Sequence, residues 1–364
     1  MEPIDRRKSL AMLSTLLVAA CGGGGGSDAT AVAGPSPTPG PSPSPGPAPS
    51  PAPVPAGTTY GDFRGASLGP GASTHGAIAF PATNEWNRDI SAEPVDPNSD
   101  SLIASIGTTV GLHPDFGSGL YNGGPIGIPY VVVSGAQAAV PIVFTAYGSE
   151  SDPGPYPLPS NAQVEGGNAS DGDRHVLVID RDNNRLYELY RAFLQSDGRT
   201  WNADCGAVFH LDSNTVRPGG QDGWTSADAA GLPIFPGLAR YEEAARGPGG
   251  ILHALRFTVA RSRRAYVPPA THYASSNTSA NLPPMGMRVR LKASFAIPSN
   301  FSAEAKALLT AMKTYGMIMA DNGSNWFVSG APDSRWNNDA LNSELGQVQG
   351  SDFEVVLMRG LVTG

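Results

Sequence analysis

Glycine and proline punctuate this chain so densely that it is cut into short runs, and no other feature constrains its fold as much. There are 45 glycines and 34 prolines among 364 residues. Glycine opens backbone conformations that other residues avoid, and proline removes an amide donor, so clusters of the two end strands and helices. The runs between them are mostly β-type. Strands are predicted at 130–133, 140–147, 251–260 and 287–297, and residues 353–358 are expected to close a sheet. The run 175–180 (His-Val-Leu-Val-Ile-Asp) is mostly apolar and is expected to be buried on both faces. Residues 181–184 form a turn and 185–190 return, which makes this the clearest hairpin in the chain.

Helices are fewer. Ser302 is placed to cap a helix over 303–315, where Ala305, Leu308, Leu309, Met312 and Tyr315 recur at helical spacing and Gly316 suits the position after the end. Shorter helices are predicted at 225–231, 238–246 and 339–345. No internal repeat is present. The fold class expected is mainly β, a β-sandwich or jelly-roll-like arrangement with a few flanking helices, with an α+β layer fold as the alternative.

The first residues carry an address. Arg6, Arg7 and Lys8 precede the mostly apolar run 10–20, which is too short to span a bilayer as a helix. The run ends in Val18-Ala19-Ala20-Cys21, which resembles the lipobox of bacterial lipoproteins. That resemblance implies cleavage before Cys21, acylation of its thiol with palmitate or a similar chain, and stable anchoring, since each buried methylene contributes about 0.8 kcal/mol. Gly22 follows, not an aspartate that would retain the protein at an inner membrane, so a cell outer membrane location is expected, facing outward or into the periplasm. Export by the Sec or the twin-arginine route stays open. Residues 35–55 alternate Pro with Ser, Ala, Gly and Thr, a composition that favours an extended tether reaching roughly 60 Å at about 3.1 Å per residue. The organisation expected is a signal peptide at 1–20, an anchor and tether at 21–57, and one β-rich domain at 58–364.

Without residues 1–20 the chain keeps 21 basic and 30 acidic residues, a formal charge of −9. No basic block is present, so a nucleic-acid partner is not expected. With Cys21 acylated, Cys205 has no second cysteine to pair with, and it reads as a buried thiol. No phosphate loop, nucleophile elbow or paired Cys-x-x-Cys motif occurs, and no histidine spacing indicates a metal, so no cofactor is expected. Asp180-Arg181-Asp182-Asn183-Asn184 alternates oxygen ligands but lacks the glycine and closing acid of a calcium loop, and reads as a turn.

Softer groupings remain. Glu243 and His253 could serve as acid and base, with Arg240 holding an anionic group; an ion-pair network fixing a helix on a sheet is the alternative. Asp228 is the candidate for a second carboxylate, and His175 for a second base. His113-Pro114-Asp115 and His210-Leu211-Asp212 each set an acid two residues from a histidine, as local turn contacts or as chemistry. All five tryptophans (86, 201, 224, 326 and 336) adjoin Asn, Asp, Thr or Arg in turn-like segments. An indole can stack on a sugar face while such neighbours take its hydroxyls, or it can plug the end of a sandwich.

The string Ala230-Gly231-Leu232-Pro233, Gly237-Leu238, Arg240-Tyr241, Glu243, Ile251 and His253-Ala254-Leu255-Arg256-Phe257 is similar to one found in a widespread group of secreted bacterial proteins. So are Leu282-Pro283-Pro284-Met285-Gly286, Arg288, Arg290-Leu291, Tyr315-Gly316 and Asp321-Asn322-Gly323. The resemblance runs over about 86–355. It implies that 58–364 is one unit and supplies neither an activity nor catalytic residues, although members often accompany carbohydrate-related modules.

These features lead to a surface-anchored monomer acting on an extracellular polysaccharide, as a glycoside hydrolase or a polysaccharide lyase. A non-catalytic glycan-binding or structural outer-membrane lipoprotein is the alternative. On the first reading Glu243→Gln abolishes turnover in a reducing-end assay. On the second, Trp224→Ala or Trp326→Ala abolishes retardation in polysaccharide gels.

Overall fold

The computed structural model describes residues 54–215, 217, 221 and 223–364. The signal peptide, Cys21 and nearly all of the tether lie outside these residues. The fold is mainly β with a few helices. A five-stranded sheet runs in the order Cys205–His210, Arg185–Tyr190, Val176–Asp180, Tyr130–Val133 and Gly69–Pro70. A six-stranded sheet runs in the order Phe353–Val355, Arg288–Leu291, Met317–Asn322, Leu255–Val259, Phe327–Ser329 and His113–Asp115. Both sheets are mixed: Tyr130–Val133 pairs parallel to Val176–Asp180, and Leu255–Val259 parallel to Met317–Asn322.

The expected hairpin is present, with Arg185 opposite Asp180 and Leu189 opposite Val176. Asp180 accepts hydrogen bonds from the Asn183 backbone N–H and side-chain amide, which closes the turn. The strand Val176–Asp180 is buried on both faces, as its apolar run implies. Leu177 and Ile179 enter the main core, while Val176 and Val178 join a second core with Tyr156, Trp201 and Ala203. Trp201–Ala203 belongs to a three-stranded sheet with Phe193–Leu194 and Ile142–Phe144. Cys205 is buried at the end of its strand, with Ser151 Oγ 3.5 Å from the sulfur.

The helix Ala303–Thr314 forms as predicted. Ser302 Oγ accepts from the Ala305 N–H and also donates to Glu344, and Gly316 adopts a positive φ of 71° just past the end. Its face of Ala305, Leu308, Leu309 and Met312 is buried in the main core with Val289 and Met317 of the six-stranded sheet. The helix predicted at 238–246 shrinks to Tyr241–Ala244, and Asn338–Leu345 is helical. The helix Ser99–Ile106 carries no strong cap and was not anticipated.

Residues 225–231 do not form the predicted helix. They belong to an irregular wedge, continuing to Phe235, that is buried almost completely between the two sheets. A buried loop must find a partner for every backbone polar group. Here the partners come from outside the wedge, which removes the incentive for helical i to i−4 bonds. His175 Nε2 donates to the Ala227 carbonyl at 3.0 Å and His272 Nδ1 to the Ala229 carbonyl at 2.7 Å. The Thr271 N–H takes the Ala230 carbonyl, and the Ala230 N–H reaches Ala320. The Glu188 carboxylate accepts both the Ile234 and the Phe235 N–H at 2.9 Å.

Four of the five tryptophans are core residues. Trp86, Trp201, Trp326 and Trp336 are 0%, 2%, 0% and 3% exposed. Trp326 stacks between Phe257 and Phe353 and donates its indole N–H to the Gly107 carbonyl at 2.9 Å. No sugar can reach it in this packing, so its expected binding role is corrected to a structural one. Trp326→Ala is accordingly expected to cost about 3–5 kcal/mol in chemical denaturation; a loss below about 1 kcal/mol would contradict this packing.

Candidate functional site

The residues singled out from sequence separate into two polar clusters. In the first, Arg240 and Glu243 flank the start of the helix Tyr241–Ala244, and His253 lies just before the strand Leu255–Val259. Arg240 pairs with Glu243 Oε1, and His253 Nε2 lies 3.1 Å from Glu243 Oε2. The other imidazole nitrogen donates to the Ala254 carbonyl at 2.8 Å. The Arg240 guanidinium also lies 4.7 Å above the Phe235 ring. Burial pushes Glu243 up, but the Arg240 and His253 charges outweigh it and hold the carboxyl below its ordinary range. Arg240, Glu243 and His253 are all 2% exposed or less. The acid and base expected here do meet, but behind protein. Desolvated, paired charges of this kind fix the helix to the sheet and are closed to a substrate.

The second cluster surrounds the wedge and opens to solvent. On the six-stranded sheet, Arg256 donates to Asp228 Oδ1 at 2.9 Å and to Ser329 Oγ at 2.6 Å. Asp228 is fully buried, so it cannot touch a substrate as expected. Burial raises it to about 7; Arg256 opposes that shift and the Asp321 charge adds to it. Glu188 behind it is also pushed up to about 7 by burial, against the two amide hydrogen bonds from the wedge.

Ser329 is in register with Asp115 of the neighbouring edge strand, and the His113 ring stacks on Phe327 at 4.1 Å. In-register neighbours point to the same face of a sheet. Asp115 therefore shares the face on which Ser329 meets Arg256. Its side chain reaches water. Protein nevertheless surrounds it closely enough that desolvation is the main cause raising its carboxyl above the ordinary range, with the Glu165 charge adding to the rise and His113 and Arg256 opposing it. Asp115 is thus an accessible carboxyl on an edge strand of the six-stranded sheet.

Glu165, whose charge acts on Asp115, lies in a turn on the segment before Val176–Asp180. Its backbone N–H donates to the His175 carbonyl, and its Oε2 lies 2.6 Å from His175 Nδ1. The carboxylate is 26% exposed, whereas the imidazole is 3% exposed. Both ring nitrogens of His175 face acceptors, Glu165 on one side and the Ala227 carbonyl on the other. Both must then carry protons, which makes an imidazolium. Burial pulls its pKa down, but Glu165 overrides burial and lifts it to about 9. The same pair works on Glu165: burial pushes it up, and the His175 charge and hydrogen bonds bring it below the ordinary range.

Two accessible carboxyls, Asp115 and Glu165, thus have pKa values driven in opposite directions. Desolvation shifts Asp115 above the ordinary carboxylate range, and the His175 charge shifts Glu165 below it. His175 holds the second in place and does not act as a base, since both its nitrogens are occupied. Sequence reasoning noted Asp115 only as part of His113-Pro114-Asp115 and missed Glu165. Nothing in the local sequence links Glu165 to Asp115. Trp224 is half-buried, with the Arg217 guanidinium 5.3 Å from its ring centre, and alone among the tryptophans keeps part of its surface in solvent.

Among the described residues no group of three or more His, Cys, Asp or Glu side chains is placed to hold a metal ion, and no helix is long and apolar enough to cross a membrane. No protein-family model, no curated protein and no solved structure matches this chain.

The pair has a pH signature. His175 is raised in the folded state, so its contribution to stability is complete below its unfolded pKa of about 6.5 and is lost as pH rises through about 9. His175→Gln is expected to lower stability by about 3 kcal/mol at pH 6, with the gap to the native chain closing above pH 9 in thermal melts across that range. A gap independent of pH would remove the imidazolium assignment.

Proposed function

We propose that this chain is a hydrolase that cleaves an extracellular polysaccharide by acid–base chemistry at Asp115 and Glu165. The observation that carries the reading is a pair of solvent-accessible carboxyls, one pushed above the ordinary range by burial and by the charge of the other, which His175 in turn holds below that range. Paired carboxyls with divergent pKa values are the requirement for glycosidic bond cleavage. Asp115 gives its proton to the leaving oxygen as the bond breaks. Glu165 faces the developing positive charge on the sugar carbon from the opposite side, and the water that completes the reaction returns a proton to Asp115. His175 keeps Glu165 anionic and oriented, and Arg256 anchors Ser329 beside Asp115.

Hydrolysis fits better than a lyase reaction. A lyase acting on uronates needs a cation to neutralise the substrate carboxylate. Arg240 and Arg256 are both sealed in ion pairs, while the two accessible groups are acids. Accessible acids favour a neutral polymer. An acidic chain displayed on a tether suits such a substrate, and the lipid at Cys21, the outer-membrane location and the tether all enter this proposal from sequence.

A non-catalytic glycan-binding or structural lipoprotein is the second reading. What favours it is the burial of Glu243, His253 and four tryptophans, which leaves those residues as framework.

Asp115→Asn and Glu165→Gln decide between the two. Each is expected to lower turnover of a neutral polysaccharide by about 10²- to 10⁴-fold in a reducing-end assay while the chain stays folded. Activity of the native chain is expected to fall toward acid as Glu165 takes up a proton, below the ordinary carboxylate range, and toward alkali as Asp115 loses one, above that range. Full turnover in both variants would leave the binding reading. Separately, Cys21→Ser is expected to abolish labelling by palmitate and release the protein from membranes; retained labelling would remove the anchor.

A further inference from the structure

Between Asp115 and Glu165 in sequence lies a short hairpin that the proposed chemistry does not use. Its strands are Leu120–Tyr121 and Gly124–Pro125, joined through Asn122 and Gly123. Both linking residues have positive φ, 50° and 85°, the pattern of a tight two-residue turn that matches strand twist. The hairpin is pinned to the Glu165 segment. A Cβ on Gly124 would sit 2.1 Å from the Gly166 carbonyl carbon, so only glycine allows this approach. At the other end, the Gly117 N–H donates to the Ile126 carbonyl, two residues beyond Asp115.

The rigid tip presents Leu120 and Tyr121 to solvent at 71% and 73% exposure, the highest of any large apolar side chain among the described residues. At the hairpin base runs a groove of about 430 Å³, lined by Gly117, Gly119, Pro125, Tyr130, Gln163 and Arg335. Gly117 and Gln163 each stand two residues from one of the paired carboxyls. The volume falls within the range of about 300–1,000 Å³ typical of small-molecule sites. An adjoining cavity of about 110 Å³, which shares Tyr130, Asp333 and Arg335, is too small on that scale. Arg335 brings no net positive charge to the groove, because Asp333 holds it with two hydrogen bonds.

We propose that this hairpin and groove form the subsite that holds a neutral glycan chain beside the carboxyl pair, with Tyr121 as the aromatic face on which a sugar ring stacks. The inference rests on the hydrolase reading and extends it to the residues that select a polymer over a small glycoside. An exposed aromatic ring offers an apolar face for a pyranose, and a compensated arginine with a glutamine offers hydrogen bonds to hydroxyls without favouring anions. Tyr121 and Gln163 are positioned for binding and touch no reacting bond.

The test uses the full chain in detergent with laminarin, arabinoxylan, galactomannan and alginate. Tyr121→Ala and Gln163→Trp, the latter filling the groove, are both expected to raise KM about tenfold or more on whichever neutral polymer the native chain cleaves. The expected change in kcat is less than about threefold, since uniform binding is what is lost. Both side chains are exposed, so melting temperatures are expected to hold. KM values within about twofold of native in both variants would overturn the subsite. If the native chain cleaves none of the four polymers, affinity gels containing them read the groove without the chemistry. Retardation of the native chain that is lost in Tyr121→Ala would keep the subsite while the hydrolase falls; no retardation in any gel would overturn the subsite as well.

Discussion

The structure depends on satisfying the backbone of a loop buried from solvent. The wedge from Thr225 to Phe235 lies between the two large sheets without helical or strand pairing of its own. Each buried carbonyl or amide left unpaired would cost on the order of 1–3 kcal/mol. Glu188, His175 and His272 meet that demand with side chains, and Ala320 and Thr271 with backbone. Ionisable groups are thereby drawn into the interior, and their number explains why several carboxyls there have displaced pKa values.

The two polar clusters show how similar residue types reach different ends. Glu243 and Glu165 each pair with a histidine, and both are held below the ordinary carboxylate range. Glu243 is also clamped by Arg240 and sealed from water, so its charge is spent on holding a helix. Glu165 keeps a quarter of its side chain in solvent. Accessibility, not pairing, separates framework from site.

Much of the fold was legible in the sequence, because local signals and tertiary contacts agree there. The hairpin through Asp180 and Arg185, the doubly buried strand after His175, and the Ser302-capped helix all follow from periodicity and turn residues. The helix predicted at 225–231 failed for the opposite reason: alanines favour a helix, but the two sheets supply better partners for the carbonyls of 227, 229 and 230. The site was less legible. His253 and Glu243 are near neighbours in sequence and drew attention, whereas Asp115 and Glu165 stand fifty residues apart, on an edge strand and a turn of different parts of the fold, with no local signal joining them. The tryptophans misled because polar neighbours in a turn accompany a buried indole as readily as an exposed one.

The wedge also ties distant parts of the chain together. Its hydrogen bonds to Glu188, His175 and His272 span 46, 52 and 43 residues of chain. Each closes a loop of that length, whose closure entropy opposes the contact. Until both sheets exist, His175 has no carbonyl at its second nitrogen and Asp228 has no Arg256. A chain whose wedge is not docked therefore lacks the carbonyl that fixes the His175 imidazolium beside Glu165, so the electrostatics of the site depend on the wedge being in place.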